Sequence, residues 1–283
     1  MAAPRMDGGG SCHNEVEAFM EAFMGDGLDW HLRSTCAIAV MAKASIPGKT
    51  KTRLVPPLSE DEAATLNTVF LRDAADNILS AAALANISGW MAYTPVGSAP
   101  FFRSHLPKSI GLLEAAAPSL GECLQFASTA LLRSGHGAVC LINSDSPTLP
   151  VGYLATAATA LAAAGDRIVL GPATDGGYYL IGMKRPHPGL FEDIAWSTDR
   201  VFSQTLKRAE ALGLSVIELP TWYDVDSTAS LRTLIDEVLH DKPFRSVGTP
   251  TRAAATRKYI ATLVEELGLE GRMGPPRAIG GLS

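Results

Sequence analysis

A chain of 283 residues, 47% hydrophobic and 19% charged, suits one large α/β domain or two small ones with a sizeable core. The net charge of −5 argues against broad nucleic-acid binding and makes any local run of cations stand out. Cys12, Cys36, Cys123 and Cys140 show no Cys-x-x-Cys spacing, so they read as reduced thiols of a cytoplasmic protein. No segment approaches the roughly 18 apolar residues of a membrane span, and the first residues carry no apolar run of signal-peptide length.

In chain order, residues 1–13 lack periodicity and are expected to be disordered. Residues 14–24 place Val16, Phe19, Met20 and Phe23 at helical spacing, giving a short amphipathic helix that lies on the domain or on a second subunit of a homo-oligomer. After a linker, Cys36 to Ala42 is a short apolar run of buried-strand length. It leads into Lys43, Lys49, Lys51 and Arg53, with no acidic residue among them and Pro47-Gly48 interrupting regular structure. A buried strand, then a basic glycine-containing loop, then a helix is a common way to hold a phosphate.

Ser59 followed by Glu62 is a capping-box pattern. It opens a helix to about Leu84 with Ala63, Leu66, Val69, Phe70, Ala74, Ile78 and Leu79 on one stripe. Residues 87–94 read as a strand. A polar stretch runs to about Lys108, and a short apolar piece covers 110–113. Ser119 to Arg133 reads as a helix with Leu120, Leu124, Ala127 and Leu131 inward, stopped at Gly135-His136-Gly137. Ala138 to Ile142 is a buried strand that runs into Asn143-Ser144-Asp145-Ser146-Pro147. Residues 151–164 are helical, Asp166 to Pro172 is a strand, and Ala173 to Met183 contains Asp175-Gly176-Gly177-Tyr178-Tyr179. Asp199 to Leu212 is helical and Leu214 to Leu219 is a strand. Ser227 or Thr228 then caps a helix to about His240. A last helix covers 251–267, and 271–283 look frayed. The expected division is an N-terminal extension (1–34), the main domain (35–242) and a C-terminal helix and tail (243–283).

Strands alternating with helices mean an α/β fold with a mostly parallel sheet, whose function sits at the C-terminal strand ends. Four such ends carry polar punctuation: 43–53, 143–148, 174–178 and 223–228. Gly48-Lys49-Thr50 invites a P-loop, but that pattern needs glycine at position 43, which is Lys43. The basic loop therefore reads as a phosphate site of another geometry or as a solvated charge run. Asp145 suits a divalent cation bridging two phosphates, or a turn or helix cap. Asp224 and Asp226, two apart in an extended segment, point the same way and so share the cleft, unless Asp226 only caps the next helix. Asp175-Gly176-Gly177-Tyr178 offers an acid, close backbone approach and a flat hydroxyl-bearing ring for a sugar or base; the alternative is a hairpin turn with core tyrosines. Trp196 and Trp222 read as core or rim residues, and no histidine pair has metal spacing.

Several stretches together resemble one bacterial family: Lys43 with Pro47-Gly48-Lys49-Thr50-Lys51-Thr52-Arg53-Leu54, Asn143 to Pro150, Gly171-Pro172 with Asp175 to Gly182, Trp196-Ser197-Thr198, and Tyr223-Asp224-Val225-Asp226. The family consists of glycosyltransferases of unassigned substrate in the nucleotide-diphospho-sugar transferase superfamily. It is distantly similar to phospholactate and molybdenum-cofactor guanylyltransferases. The resemblance spans about residues 36 to 240. It implies a GT-A, Rossmann-like three-layer sandwich with a mostly parallel central sheet. It also implies a cytoplasmic enzyme that transfers a glycosyl group from a nucleotide-sugar to an acceptor, or alternatively a nucleotidyl group. A catalytically silent binding subunit is the reading from another class. By the same resemblance Lys43, Lys51 and Arg53 would contact the phosphates; Gly48, Lys49 and Ser144, read from the residues themselves, are expected at the same nucleotide and phosphate site. The resemblance also implies that Asp145 and Asp226 bind Mg²⁺ or Mn²⁺; from their own chemistry Gly176, Gly177 and Tyr178 are expected to contact substrate, and Asp175, Lys51 and Arg53 to act in catalysis. Leu120-Gly121-Glu122-Cys123-Leu124 departs from the family pattern, which continues Leu-Gly-Glu with Arg and Met, and the family's preceding Gln-Gly is absent.

Overall fold

The computed structural model describes residues 31–244 and 248–274. The helix expected at 14–24 and Cys12 lie outside the described residues, as does most of the expected frayed tail.

The strands are β1 (Cys36–Lys43), β2 (Ile87–Thr94), β3 (Gly111–Glu114), β4 (Ala138–Ile142), β5 (Arg167–Pro172), β6 (Tyr178–Met183) and β7 (Ser215–Glu218). They form one sheet in the order β3-β2-β1-β4-β6-β5-β7. All pairings are parallel except those of β6, which runs antiparallel to both β4 and β5. The helices are α1 (Glu60–Ala81), α2 (Ala99–His105), α3 (Leu120–Arg133), α4 (Val151–Ala162), α5 (Val201–Ala211), α6 (Thr228–His240), α7 (Ala254–Glu265) and α8 (Leu269–Met273).

Side-chain alternation along β1 builds both cores. Ile38 and Val40 face one layer, made with Leu66 and Phe70 of α1, Leu154 of α4, Leu234 of α6 and Ile260 of α7. Ala37 and Ala39 face the other, made with Leu124 and Leu131 of α3 and Ala209 of α5. This is the three-layer sandwich expected from the alternation of elements. A strand buried on both faces reads as a continuous apolar run, which is why β1 and β4 stood out in the sequence.

The capping box at Ser59 forms as expected: Ser59 Oγ accepts from Glu62 N, and Ser59 N donates to Glu62 Oε2 at 2.8 Å. The helix ends at Ala81 rather than Leu84, because residues 82–84 tighten into turns such as Leu84 N to Ala81 O. Helix α2 was hidden in the stretch read as polar loop. It has too few residues to show a period, and its only local sign is a proline in the first turn. Leu120 is not inward; it is 48% exposed at the start of α3. Cys36 and Cys140 are buried on neighbouring strands with sulfurs 3.8 Å apart, and both are free thiols, as is Cys123. No helix among the described residues is long and apolar enough to cross a membrane.

Candidate active site

The four punctuated strand ends meet in one cavity of about 640 Å³. The loop after β1 supplies Lys43, Lys49, Lys51 and Arg53, and the end of β4 supplies Asn143, Ser144 and Asp145. The β5–β6 turn supplies Asp175, Gly177 and Tyr178, and the segment between β7 and α6 supplies Asp224 and Asp226. Parallel strands all deliver their following loops to the same edge, so residues far apart in sequence converge there.

The turn between β5 and β6 is held by Ala173 N to Gly177 O at 3.0 Å, and Gly177 N donates to Asp175 Oδ1 at 2.8 Å. Gly176 has φ +88°, and a Cβ there would lie 2.2 Å from the Asp199 carbonyl oxygen. Only glycine fits there. Tyr178 lines the cavity, with burial pushing its hydroxyl pKa upward. Tyr179 is a core residue whose hydroxyl donates to Pro220 O at 2.9 Å. The turn and the core tyrosine of the motif are thus present, and Asp175, Gly177 and Tyr178 line the cavity.

Asp175, Asp224 and Asp226 each place a carboxylate oxygen within 4.8 Å of the others. Burial, then the charges of Asp175, Asp226 and Asp145, push the Asp224 pKa up from 3.8 to about 7. Alternation in the extended segment explains the geometry: Asp224 and Asp226 share a side while Val225 is buried between them. Asp226 does not cap α6. Ser227 does, accepting from Ser230 N.

Asp145 is not one of that trio. Its Oδ1 lies 2.9 Å from Lys51 Nζ and accepts from Ser144 Oγ at 2.7 Å. It caps no helix either, since α4 begins after Pro150. Lys51 Nζ also donates to Val225 O at 2.6 Å and sits 4.8 Å from the Phe70 ring centroid. Arg53, by contrast, is 68% exposed and pairs with Asp226 at 2.9 Å. Lys43 and Lys49 are exposed and form no ion pair among the described residues. Gly48 takes a positive φ of +71° at the turn of the loop, beside Glu60.

Part of the lining is apolar: Met41, Leu120, Leu124, Leu141, Trp196 and Val201. Sequence reading missed this apolar lining. Gly121 lets the Trp196 indole lie against the start of α3; a Cβ there would come 2.9 Å from Trp196 Nε1. Ser197 beside it holds φ +63°. Trp222 is fully buried and takes no part in the cavity. The one available signal was the family-like Trp196-Ser197-Thr198, which periodicity does not place.

Residues 77–198 match the model of a family described as an uncharacterized protein conserved in bacteria (DUF2064). Among solved structures, a protein from Desulfovibrio desulfuricans classed as a candidate nucleotide-diphospho-sugar transferase is 28% identical. Its TM-score is 0.67, and the match covers 82% of this chain and 97% of that one. The likeness to that structure matches the GT-A-like sheet described above. Rv0371c from Mycobacterium tuberculosis in complex with manganese also matches, at 16% identity, TM-score 0.41 and coverage of 72% and 99%. So does CMP:2-keto-3-deoxy-manno-octonic acid synthetase with CTP, at 12% identity, TM-score 0.45 and coverage of 74% and 100%. No curated protein matches the sequence.

Proposed function

We propose that this chain is a cation-dependent transferase acting on an activated nucleotide, with glycosyl transfer from a nucleotide-diphospho-sugar as its reaction. The observation that carries the reading is the meeting of a basic loop and a crowded carboxylate trio at the edge of one sheet. The similarity to the Desulfovibrio desulfuricans protein supports the donor class.

The carboxylate trio fits a hard cation. Three oxygens converge, and burial first and then its neighbours' charges disfavour the ionised form of Asp224; a divalent ion offsets both. Asp175, Asp224 and Asp226 would hold Mg²⁺ or Mn²⁺, which supplies positive charge to a departing nucleoside diphosphate. Lys43, Lys49 and Arg53 have exposed charged groups on the same cavity and would bind the phosphates. Ser144 and the Gly176-Gly177 backbone line or shape the floor, and Tyr178 with the Trp196 wall offers flat surfaces for a ring. The Gly176 carbonyl accepts from Phe202 N at 2.9 Å, which ties the β5–β6 turn to the start of α5.

Equilibrium binding of a series of nucleotide-sugars and a series of nucleoside triphosphates, each with and without Mn²⁺, tests this. Mn²⁺-dependent binding that favours the nucleotide-sugars supports glycosyl transfer. Preference for triphosphates moves the assignment to nucleotidyl transfer. No Mn²⁺-dependent binding of either series contradicts both and leaves the silent binding subunit.

A further inference from the structure

Lys51 stands in the cavity but has little left to offer a phosphate. Its side chain is only 5% exposed. An ammonium has three N–H groups. Here the ammonium faces Asp145 Oδ1 at 2.9 Å, Val225 O at 2.6 Å and the Phe70 ring at 4.8 Å. The partners come from three places: the end of β4, the segment before α6, and α1. Val225 N in turn donates to Asp145 O at 2.8 Å, so Lys51, Asp145 and Val225 close a ring of contacts. Val225 lies between two of the three carboxylates that converge in the cavity. The Lys51 backbone is left-handed, at φ 53°, a conformation that costs a non-glycine residue about 1 kcal/mol and so needs its surroundings to hold it. Arg53, two residues on, shows the contrast: it is 68% exposed with one carboxylate partner, as a group free to move would be.

We infer that Lys51 is a positioning residue and not a phosphate ligand: its ammonium is the built-in cation of Asp145. It neutralises that carboxylate with the protein's own charge and ties the Asp224–Asp226 segment to the end of β4. A divalent cation then goes to Asp175, Asp224 and Asp226 and not to Asp145. Only this last consequence rests on the cation reading proposed above.

The test has two arms. The first is a double-mutant cycle on thermal unfolding in EDTA, with Lys51→Met, Asp145→Asn and the pair. Each single change lowers Tm by about 5 °C, because it leaves a half-buried polar partner unmatched. The double change costs no more than the worse single one. Small, additive shifts would overturn the tie. The second arm is Mn²⁺ titration. Lys51→Met removes a positive charge beside the carboxylates and frees Asp145, so it binds Mn²⁺ more tightly than wild type, which mere loosening of the structure would not produce. Lys51→Arg keeps the charge in a different shape, so it lowers Tm while leaving Mn²⁺ affinity near wild type. Unchanged or weaker Mn²⁺ binding by Lys51→Met would overturn the charge role. If the wild-type chain binds no Mn²⁺ at all, the cation reading fails, while the first arm still decides for or against Lys51 as the tie.

Discussion

Asp73 and Asp224 are both acids withdrawn from water, and burial pushes the pKa of each upward. Their surroundings then diverge. Asp73, in α1, is 4% exposed and accepts from Ala255 N at 3.0 Å and Thr256 N at 2.7 Å. It caps α7 from another helix, and those hydrogen bonds oppose the effect of burial. Asp224 meets three more carboxylates, which add to the effect of burial. One acid is satisfied by the protein's own N–H groups; at the other, Arg53 pairs with Asp226 and Lys51 with Asp145, and the nearby charges that act on Asp224 itself are all carboxylates. The same residue type is structural in the first setting and a candidate ligand in the second, and the partners decide which.

That contrast can be broken by substitution. The largest effect is expected at Asp224→Asn, which should weaken Mn²⁺ binding by roughly a hundredfold, a charged ligand's worth of about 3 kcal/mol. Its Tm in EDTA should hold or rise, since a repulsive charge is removed. Calorimetry with Mn²⁺ and a melt in EDTA check both halves. Asp73→Ala should do the reverse: Tm falls by roughly 5 °C through the lost cap, with Mn²⁺ affinity unchanged.

The pH dependence follows from the same pair. A folded pKa of about 7 against an ordinary value of 3.8 means the folded protein keeps a proton that the unfolded chain releases between those pH values. Asp224 therefore contributes stability that is full below about 4 and lost as pH rises to about 7 in the metal-free protein. Asp73 acts in the same direction. Asp224→Asn should flatten the fall in Tm between pH 5 and pH 7 only in part, leaving the share of Asp73. An unchanged slope would count against the crowding at Asp224. The smallest effect is expected at Gly121→Ala, whose Cβ would press the Trp196 indole. It should weaken binding of a ring-bearing ligand a few-fold, read by Trp fluorescence, without changing Mn²⁺ affinity.

Much of this was legible in the sequence because strands buried on both faces announce themselves and their C-terminal ends must gather at one edge. β1 and β4, the Ser59 capping box and the four polar strand ends could be read in that way. Other features depend on contacts that no local pattern encodes. Helix α2 is too short for a period, and β6 was folded into the motif at its start. Leu120 sits at helical core spacing, yet it faces the cavity because α3 begins there. At the site, two-residue alternation correctly put Asp224 beside Asp226. The pairing of Lys51 with Asp145 joins the loop after β1 to the end of β4, and only the sheet order makes them neighbours.

The central claim is that the crowded carboxylates form a cation site, and Mn²⁺ titration of the wild-type protein at pH 6 and pH 8 tests it most directly. Below about pH 7 a proton on Asp224 competes with the ion. The account predicts clearly tighter binding at pH 8, with a proton released on binding at pH 6. Equal affinity at the two pH values, or no binding at either, would contradict it.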